Sequence, residues 1–359
     1  YTLCWRRPGL GNAYRRRDQM SASANVEVNI NDCAKADPEK LAAFEKHVAE
    51  GGLIEPNDWM PEAYRSLMLR MAEHHANSEI VGALPEGEWI TKAPSLLRKL
   101  ALTAKVQDEV GHGQMLYEVA QDLGKTRNAM LRDLITGVTK YHNCFNYPCP
   151  TWADICMIAW LIDGAAILNQ GTLAHGSFGP YIRTMRRINM EEAFHFKHGE
   201  DMVLTLMSGT DKQKQMAQEA FDRWWDPSLA FFGPNDRPDE RERPAMKWRM
   251  KTATNDELRQ KFVNRFAPAA MATGLVINVC KKDADGLVVS KKPDPLLKHN
   301  EETGNWDFTQ PDWDEFIKVI RGNGPCNKDR LALRRFSYEQ GEWVRRAILD
   351  GATDAHCNN

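Results

Sequence analysis

From Trp59 to Ser208 apolar residues recur every three or four positions, the period of helices that bury one face. The first long segment predicts a helix from about Asn57 to Ala83, with Met68, Ala72, His75 and Glu79 on its inward stripe and Leu84-Pro85-Glu86-Gly87 as its stop. Ala93-Pro94 opens a second, running to Leu123-Gly124, whose stripe is Leu102, Lys105, Glu109, His112, Leu116 and Val119. A shorter helix over 126–140 leads into a proline-rich turn from His142 to Pro150. Trp152, Cys156, Trp160, Asp163, Ile167 and Gln170 then mark a strongly apolar helix, with Asp163 its only acid between Ile155 and Gln170 and Ser177-Phe178-Gly179-Pro180 breaking it. The helix from Tyr181 to about Ser208 carries Met185, Ile188, Glu192, His195 and Gly199 on one stripe, and another spans 211–224. Upstream, Asp37 as cap and Pro38 in the first turn start a short helix that Gly51-Gly52 ends.

Beyond Gly233-Pro234 the pattern changes. Residues 237–251 are dense in charge and read as an exposed crossing segment. Thr254 and Glu257 form a capping box for a helix to about Phe266, residues 275–310 read as loops with a short hairpin, and 313–320 and 328–349 return to helix. The expected fold is all-α: a four-helix bundle with added helices over 37–236 and a loop-rich C-terminal extension, 237–359, lying on the bundle or on a partner subunit.

The polar residues inside these apolar faces carry the chemistry. Glu109-Val110-Gly111-His112 and Glu192-Ala193-Phe194-His195 are both Glu-x-x-His, which sets a carboxylate and an imidazole one turn apart on one helix face. Glu79 stands 30 residues before Glu109, and Asp163 stands 29 before Glu192. Two carboxylates on two helices, with Glu-x-x-His on two others, is how a ferritin-like bundle holds two iron or manganese ions. The candidate ligands are therefore Glu79, Glu109, His112, Asp163, Glu192 and His195, a set that suits Fe or Mn and leaves positions open for water and dioxygen. Lys105, one turn before Glu109, reads either as a solvated ion pair or as a buried lysine that tunes a carboxylate. His75 is either a partner of the site or a hydrogen-bonded core histidine, and His198, beside Lys197, is expected at the surface.

Composition excludes more than it selects. A net charge of -2 offers no electrostatic case for nucleic acid or a membrane surface, and no uninterrupted apolar run reaches the roughly 18 residues of a membrane span. Eight scattered cysteines without C-x-x-C suit a reduced, cytoplasmic protein better than a disulfide framework or a zinc site. The Arg-rich, acid-free stretch 5–17 reads as a transit peptide or as sequence upstream of a start at Met20; the latter is favoured, and residues 1–36 are left out of the fold.

Particular stretches are more specific. SEIVGALPEGEWIT (78–91), AKVQDEVGHG (104–113), FNYP (145–148), WADI (152–155), WLIDGAAILNQ (160–170), GPYIR (179–183), FGPND (232–236) and TNDELRQKFV (254–263) resemble the catalytic A subunits of bacterial phenylacetyl-CoA epoxidases, across about 52–350. The resemblance implies a di-iron centre on the same six residues, with Asp163 in a position that a generic bundle would give to Glu. It further implies an NADPH-dependent monooxygenase that inserts one atom of O2 into the ring of phenylacetyl-CoA in phenylacetate catabolism. Implied partners are a reductase carrying FAD and an iron-sulfur cluster, a small bridging subunit, and an inactive, structural ferritin-like partner subunit. It also favours a buried Lys105 paired with the metal carboxylates or the subunit contact. For the coenzyme A phosphates the candidate cations are Lys92, Arg98, Lys99, Arg183, Arg186 and Arg187. The sequence departs from the family in residues 1–36, in a longer Lys- and Asp-rich 275–300 segment, and in Asn77, where the family can carry histidine. Alternatives are an oxygenase of another aromatic acyl-CoA such as benzoyl-CoA, an iron store, or the inactive structural partner; the intact ligand set argues against the last.

Overall fold

The computed structural model describes residues 37–343; residues 1–36, with the Arg-rich stretch and Met20, and the tail beyond 343 lie outside them. α1 (Pro38–Ala49) is capped by Asp37, whose carboxylate accepts from the Glu39 amide at 3.0 Å. α2 (Glu62–Trp89) and α3 (Leu96–Asp122) pack along each other, followed by the short α4 (Arg127–Ile135). α5 (Trp152–Met157), a π turn (Ile158–Ile162) and α6 (Asp163–Leu173) form one continuous helical rod. α7 (Gly179–Met207) packs on this rod and on α3, and α8 (Asp211–Leu229) packs on α5 and α7. These long helices make the ferritin-like bundle anticipated from the periodicity.

The chain past the bundle folds back into it. α9 (Pro244–Lys247) is a single turn, and α10 (Asn255–Thr273) starts at the Thr254–Glu257 capping box. Phe262 and Phe266 of α10 share one apolar core with Trp160, Phe221 and Trp225. Two antiparallel hairpins follow, β1 (Asn278–Lys282) with β2 (Val288–Pro293) and β3 (Lys298–Asn300) with β4 (Asn305–Asp307), then α11 (Trp313–Lys318) and α12 (Asn327–Gln340).

Several expectations need correction. α2 does not stop at Ala83: it runs through Pro85 to Trp89, and Glu86 beyond the proline is buried against Lys105. Proline costs a helix one amide bond, and here the buried ion pair ties the far segment to α3. The charged 237–251 segment is not simply exposed, because Trp248 and Met250 are buried in a second core with Phe44, Tyr64 and Ile54. α10 extends seven residues beyond Phe266, through Pro268. The rod Trp152–Leu173 is long and apolar enough, by length and composition, to cross a membrane, although no uninterrupted run was; 72% of it is buried inside the protein, which accounts for its apolarity. His198 is buried rather than at the surface, stacked on Phe194. Asn77 is buried and satisfied, accepting from Tyr117 Oη at 2.6 Å and donating to Thr139 and the Lys140 carbonyl. Among the described residues Cys144, Cys149, Cys156, Cys280 and Cys326 are free thiols.

Candidate metal centre

Glu79 lies within α2, Glu109 and His112 within α3, Asp163 at the start of α6, and Glu192 and His195 within α7; all six are buried. The helices bring them together as two overlapping groups. Glu79, Glu109, His112 and Glu192 offer donor atoms that all lie within 4.8 Å of one another, and so do Glu109, Asp163, Glu192 and His195. Glu109 and Glu192 belong to both groups, so an ion held by either group would draw on these two carboxylates. His112 Nδ1 is 3.5 Å from Glu109 and 3.6 Å from Glu192, and His195 Nδ1 is 3.3 Å from each of the same two carboxylates.

The donor set fits two divalent ions. His112 Nδ1, His195 Nδ1, Asp163 Oδ2 and Glu192 Oε2 are buried atoms without a hydrogen-bond partner, and all four point into the cluster. Asp163 Oδ2 is 3.1 Å from Lys105 Nζ, an ion-pair distance that forms no hydrogen bond. A buried orphan polar atom is costly unless something ligates it. Burial, then the charges of Glu109 and Glu192, pushes Glu79 well above the usual carboxylate range. Burial also raises Asp163 against the opposing pull of Lys105. Glu109 goes the other way: burial would raise it, but Lys105 and the two histidines together hold it well below. The cluster is thus rich in negative charge and short of positive charge.

Each histidine is held by an acid from the opposite helix. His112 Nε2 donates to Glu191 Oε2 at 2.8 Å, and His195 Nε2 donates to Asp108 Oδ2 at 3.2 Å. With Nε2 so engaged, each Nδ1 faces the carboxylates: burial would lower both imidazoles, but Glu109 and Glu192 raise them, His195 to about 11, so each Nδ1 carries a proton that a metal ion would displace. His75 is a direct neighbour of the site: Nε2 meets Glu79 Oε1 at 2.8 Å, and Nδ1 meets Tyr181 Oη at 2.8 Å. Lys105 is 1% exposed and bonds Glu86 at 2.8 Å and Glu109 at 2.6 Å, so the buried reading of this lysine holds and the solvated one does not.

A cavity of about 530 Å³ opens from the cluster, lined by Glu79, Glu109, Asp163 and Glu192 at one end and by apolar side chains including Leu67, Met71, Phe145, Ile158, Ile162 and Phe231. None of the cations named from the sequence for the phosphates lines it. Arg183 forms a two-pronged pair with Glu55, Arg98 reaches His198 and Thr205, Arg187 faces Glu191, Lys92 lies over the Trp89 ring, Lys99 is half-buried and Arg186 is exposed. The cations that do line the cavity are Lys105, Arg70 and Lys251.

Sequence reasoning missed Glu86, Asp108, Glu191, Tyr181, Arg70 and Lys251. Two signals were available. Each Glu-x-x-His is preceded by a second acid, Asp108 and Glu191, and Glu86 is seven residues after Glu79, on the same face if the helix survives Pro85. Nothing in the helical period singles out Arg70 or Lys251, which meet only through the fold.

Over residues 36–343 the sequence matches the family described as phenylacetic acid catabolic protein. It is similar to the A subunit of the 1,2-phenylacetyl-CoA epoxidase of Escherichia coli (strain K12), 45% identical over 313 residues, which is 87% of this chain and 96% of that relative.

Proposed function

The chain belongs to the phenylacetic acid catabolic protein family, and from that premise we propose that it is the oxygen-inserting component of a cytoplasmic, multi-subunit epoxidase acting on the ring of phenylacetyl-CoA. The observation that carries this reading is the buried four-carboxylate, two-histidine cluster opening into a cavity with mostly apolar walls. Two iron ions held by Glu79, Glu109, His112, Asp163, Glu192 and His195 would supply the reductive activation of dioxygen. In that chemistry one oxygen atom would enter the ring and the other would leave as water, taking up two protons and two electrons, the electrons from NADPH through a reductase carrying FAD and an iron-sulfur cluster.

The chain's own residues do the rest. Leu67, Met71, Phe145 and Phe231 wall the cavity and exclude water from an aromatic ring. Lys105 keeps a positive charge at Nζ between Glu86, Glu109 and Asp163, because the three carboxylates outweigh the burial that would strip its proton. Asp108 and Glu191 aim the histidines, and the Tyr181–His75 pair orients Glu79. A structural ferritin-like partner and a small bridging subunit complete the assembly in this reading. Leu96, Leu97 and Leu100 on α3, with Met190 and Phe194 on α7, are exposed apolar side chains of the kind a partner covers. We take residues 37–236 as the metal-carrying unit and the rest as its brace. An iron store does not call for an apolar cavity at the metals.

The test is turnover of phenylacetyl-CoA under 18O2 with the neighbouring subunits, reductase and NADPH, read by mass spectrometry. One labelled atom in the ring is expected. Absence of label with two irons bound and all partners present would move the function to another acyl-CoA or away from oxygenation.

A further inference from the structure

The six candidate ligands sit on helices of two kinds. Glu79, Glu109, His112, Glu192 and His195 are interior to regular α-helices, whereas Asp163 directly follows the π turn Ile158–Ile162. The Asp163 amide bonds the Ile158 carbonyl, five residues back, where an α-helix would use Ala159. One extra residue in a turn rotates everything after it by about 100° about the helix axis. The side chain at 163 faces Lys105 and the cluster because of this turn, and Ile158 and Ile162 within it line the cavity.

Two contacts hold the turn, one from α7 and one from α10. Gly199 of α7, one turn beyond His195, lies so close that a Cβ there would overlap the Ala159 carbonyl and the Trp160 nitrogen, all backbone atoms that cannot swing aside. From α10, the tip of the Phe266 ring fills the space where a Cβ of Gly164, just after the turn, would be. Phe266 is itself buried, stacked on Phe262 at 4.5 Å, and meets Trp160 of the turn edge-on at 5.8 Å. The wide turn is therefore clamped by close contact with a side-chain-free point on α7 and with an aromatic from α10, in the chain beyond the bundle.

We infer that Gly199 and Phe266 are positioning residues: they clamp the Ile158–Ile162 turn and thereby set the direction of Asp163. The consequence for metal binding rests on the two-ion reading above; the placement of Asp163 does not. Asp163 belongs to one of the two ligand groups only, so loosening the clamp weakens one ion and spares the other.

Two measurements on the Gly199→Ala and Phe266→Leu variants test this, with Gly171→Ala on α6, where an added Cβ meets nothing within 4 Å, as control. The first is the crystal structure of each metal-free protein. In Gly199→Ala the Asp163 carboxylate is expected to leave the 3.1 Å approach to Lys105 Nζ. The second is Mn(II) titration by electron paramagnetic resonance. The wild type and the control should bind two ions, whereas the variants should keep one and bind the second at least roughly tenfold more weakly. If Gly199→Ala fails to fold, Phe266→Leu, which removes no backbone space, decides alone. Asp163 unmoved in the folded variants, with two ions bound at wild-type affinity, would overturn the inference. A displaced Asp163 in a protein whose wild type binds fewer than two ions would keep the clamp and overturn the two-ion reading instead.

Discussion

The α2–α3 pair and the α6–α7 pair carry the same pattern of candidate ligands and hold it by different means. In the first, Glu79 sits in an unbroken helix and its carboxylate is tied through His75 to Tyr181. In the second, a shorter carboxylate, Asp163, has no hydrogen bond at Oδ2, and its direction is set by backbone packing and by Lys105 reaching across from α3. Side-chain hydrogen bonds place one end of the site, and a clamped turn with a buried cation places the other. Sequence alone shows the likeness of the two pairs, because ligand spacing is local; it hides the difference, because the bracing comes from elsewhere in the chain.

Substitutions can break that comparison or sharpen it. Glu109→Ala has the largest expected effect. Glu109 belongs to both groups, so turnover is abolished and both ions are lost, while circular dichroism stays that of the wild type. Lys105→Met strips Glu86, Glu109 and Asp163 of their shared cation and should destabilise the metal-free protein by about 3 kcal/mol in urea unfolding, the cost of breaking a buried pair. Asp108→Asn and Glu191→Gln should each lower metal affinity by roughly 10- to 100-fold. Asp108→Asn acts on the His195 group and Glu191→Gln on the His112 group, so paired titrations separate the two sites.

An effect that shows only with pH lies on the connection between the pairs. His142 is half-buried, accepts at Nδ1 from Cys144 and donates from Nε2 to the Phe231 carbonyl; desolvation, with His74 beside it, pushes it down to about 3. It is neutral in the fold and takes a proton on unfolding below its usual value near 6.5. The unfolded state therefore binds more protons between those values. Stability is fully present above about 6.5 and falls as pH drops toward 3, by about 1.4 kcal/mol per pH unit for one proton. His142→Gln should remove that share of the slope in denaturation curves taken from pH 7 to pH 4. An unchanged slope would show that the histidine is solvated in the native protein.

The helices and the convergence of the six candidate ligands were legible because both obey the 3.6-residue period that puts Glu and His of Glu-x-x-His on one face. The failures share a cause. Pro85 reads locally as a stop, yet α2 continues because Glu86 is paired on the far side. His198 beside Lys197 reads as solvated, yet Phe194 stacks on it. The π turn has no compositional mark, since Ile-Ala-Trp-Leu-Ile is an ordinary apolar run, and its width shows only against Gly199. The cations chosen for a phosphorylated substrate were those nearest helix starts, whereas Arg70 and Lys251 lie 181 residues apart and reach the cavity together only in the folded chain.

The exchange of acids between the histidines has a meaning of its own. Asp108 of α3 serves His195 of α7, and Glu191 of α7 serves His112 of α3. In each case the acid is the residue just before the candidate metal-binding glutamate. If residue i of one element touches j of the other, and j of the first touches i of the second, the contact obeys the rule of an isologous, two-fold interface. A single chain here carries the bonding rule of a homodimer of helical hairpins. Neither hairpin can orient its own histidine, so each is complete only in the presence of its counterpart.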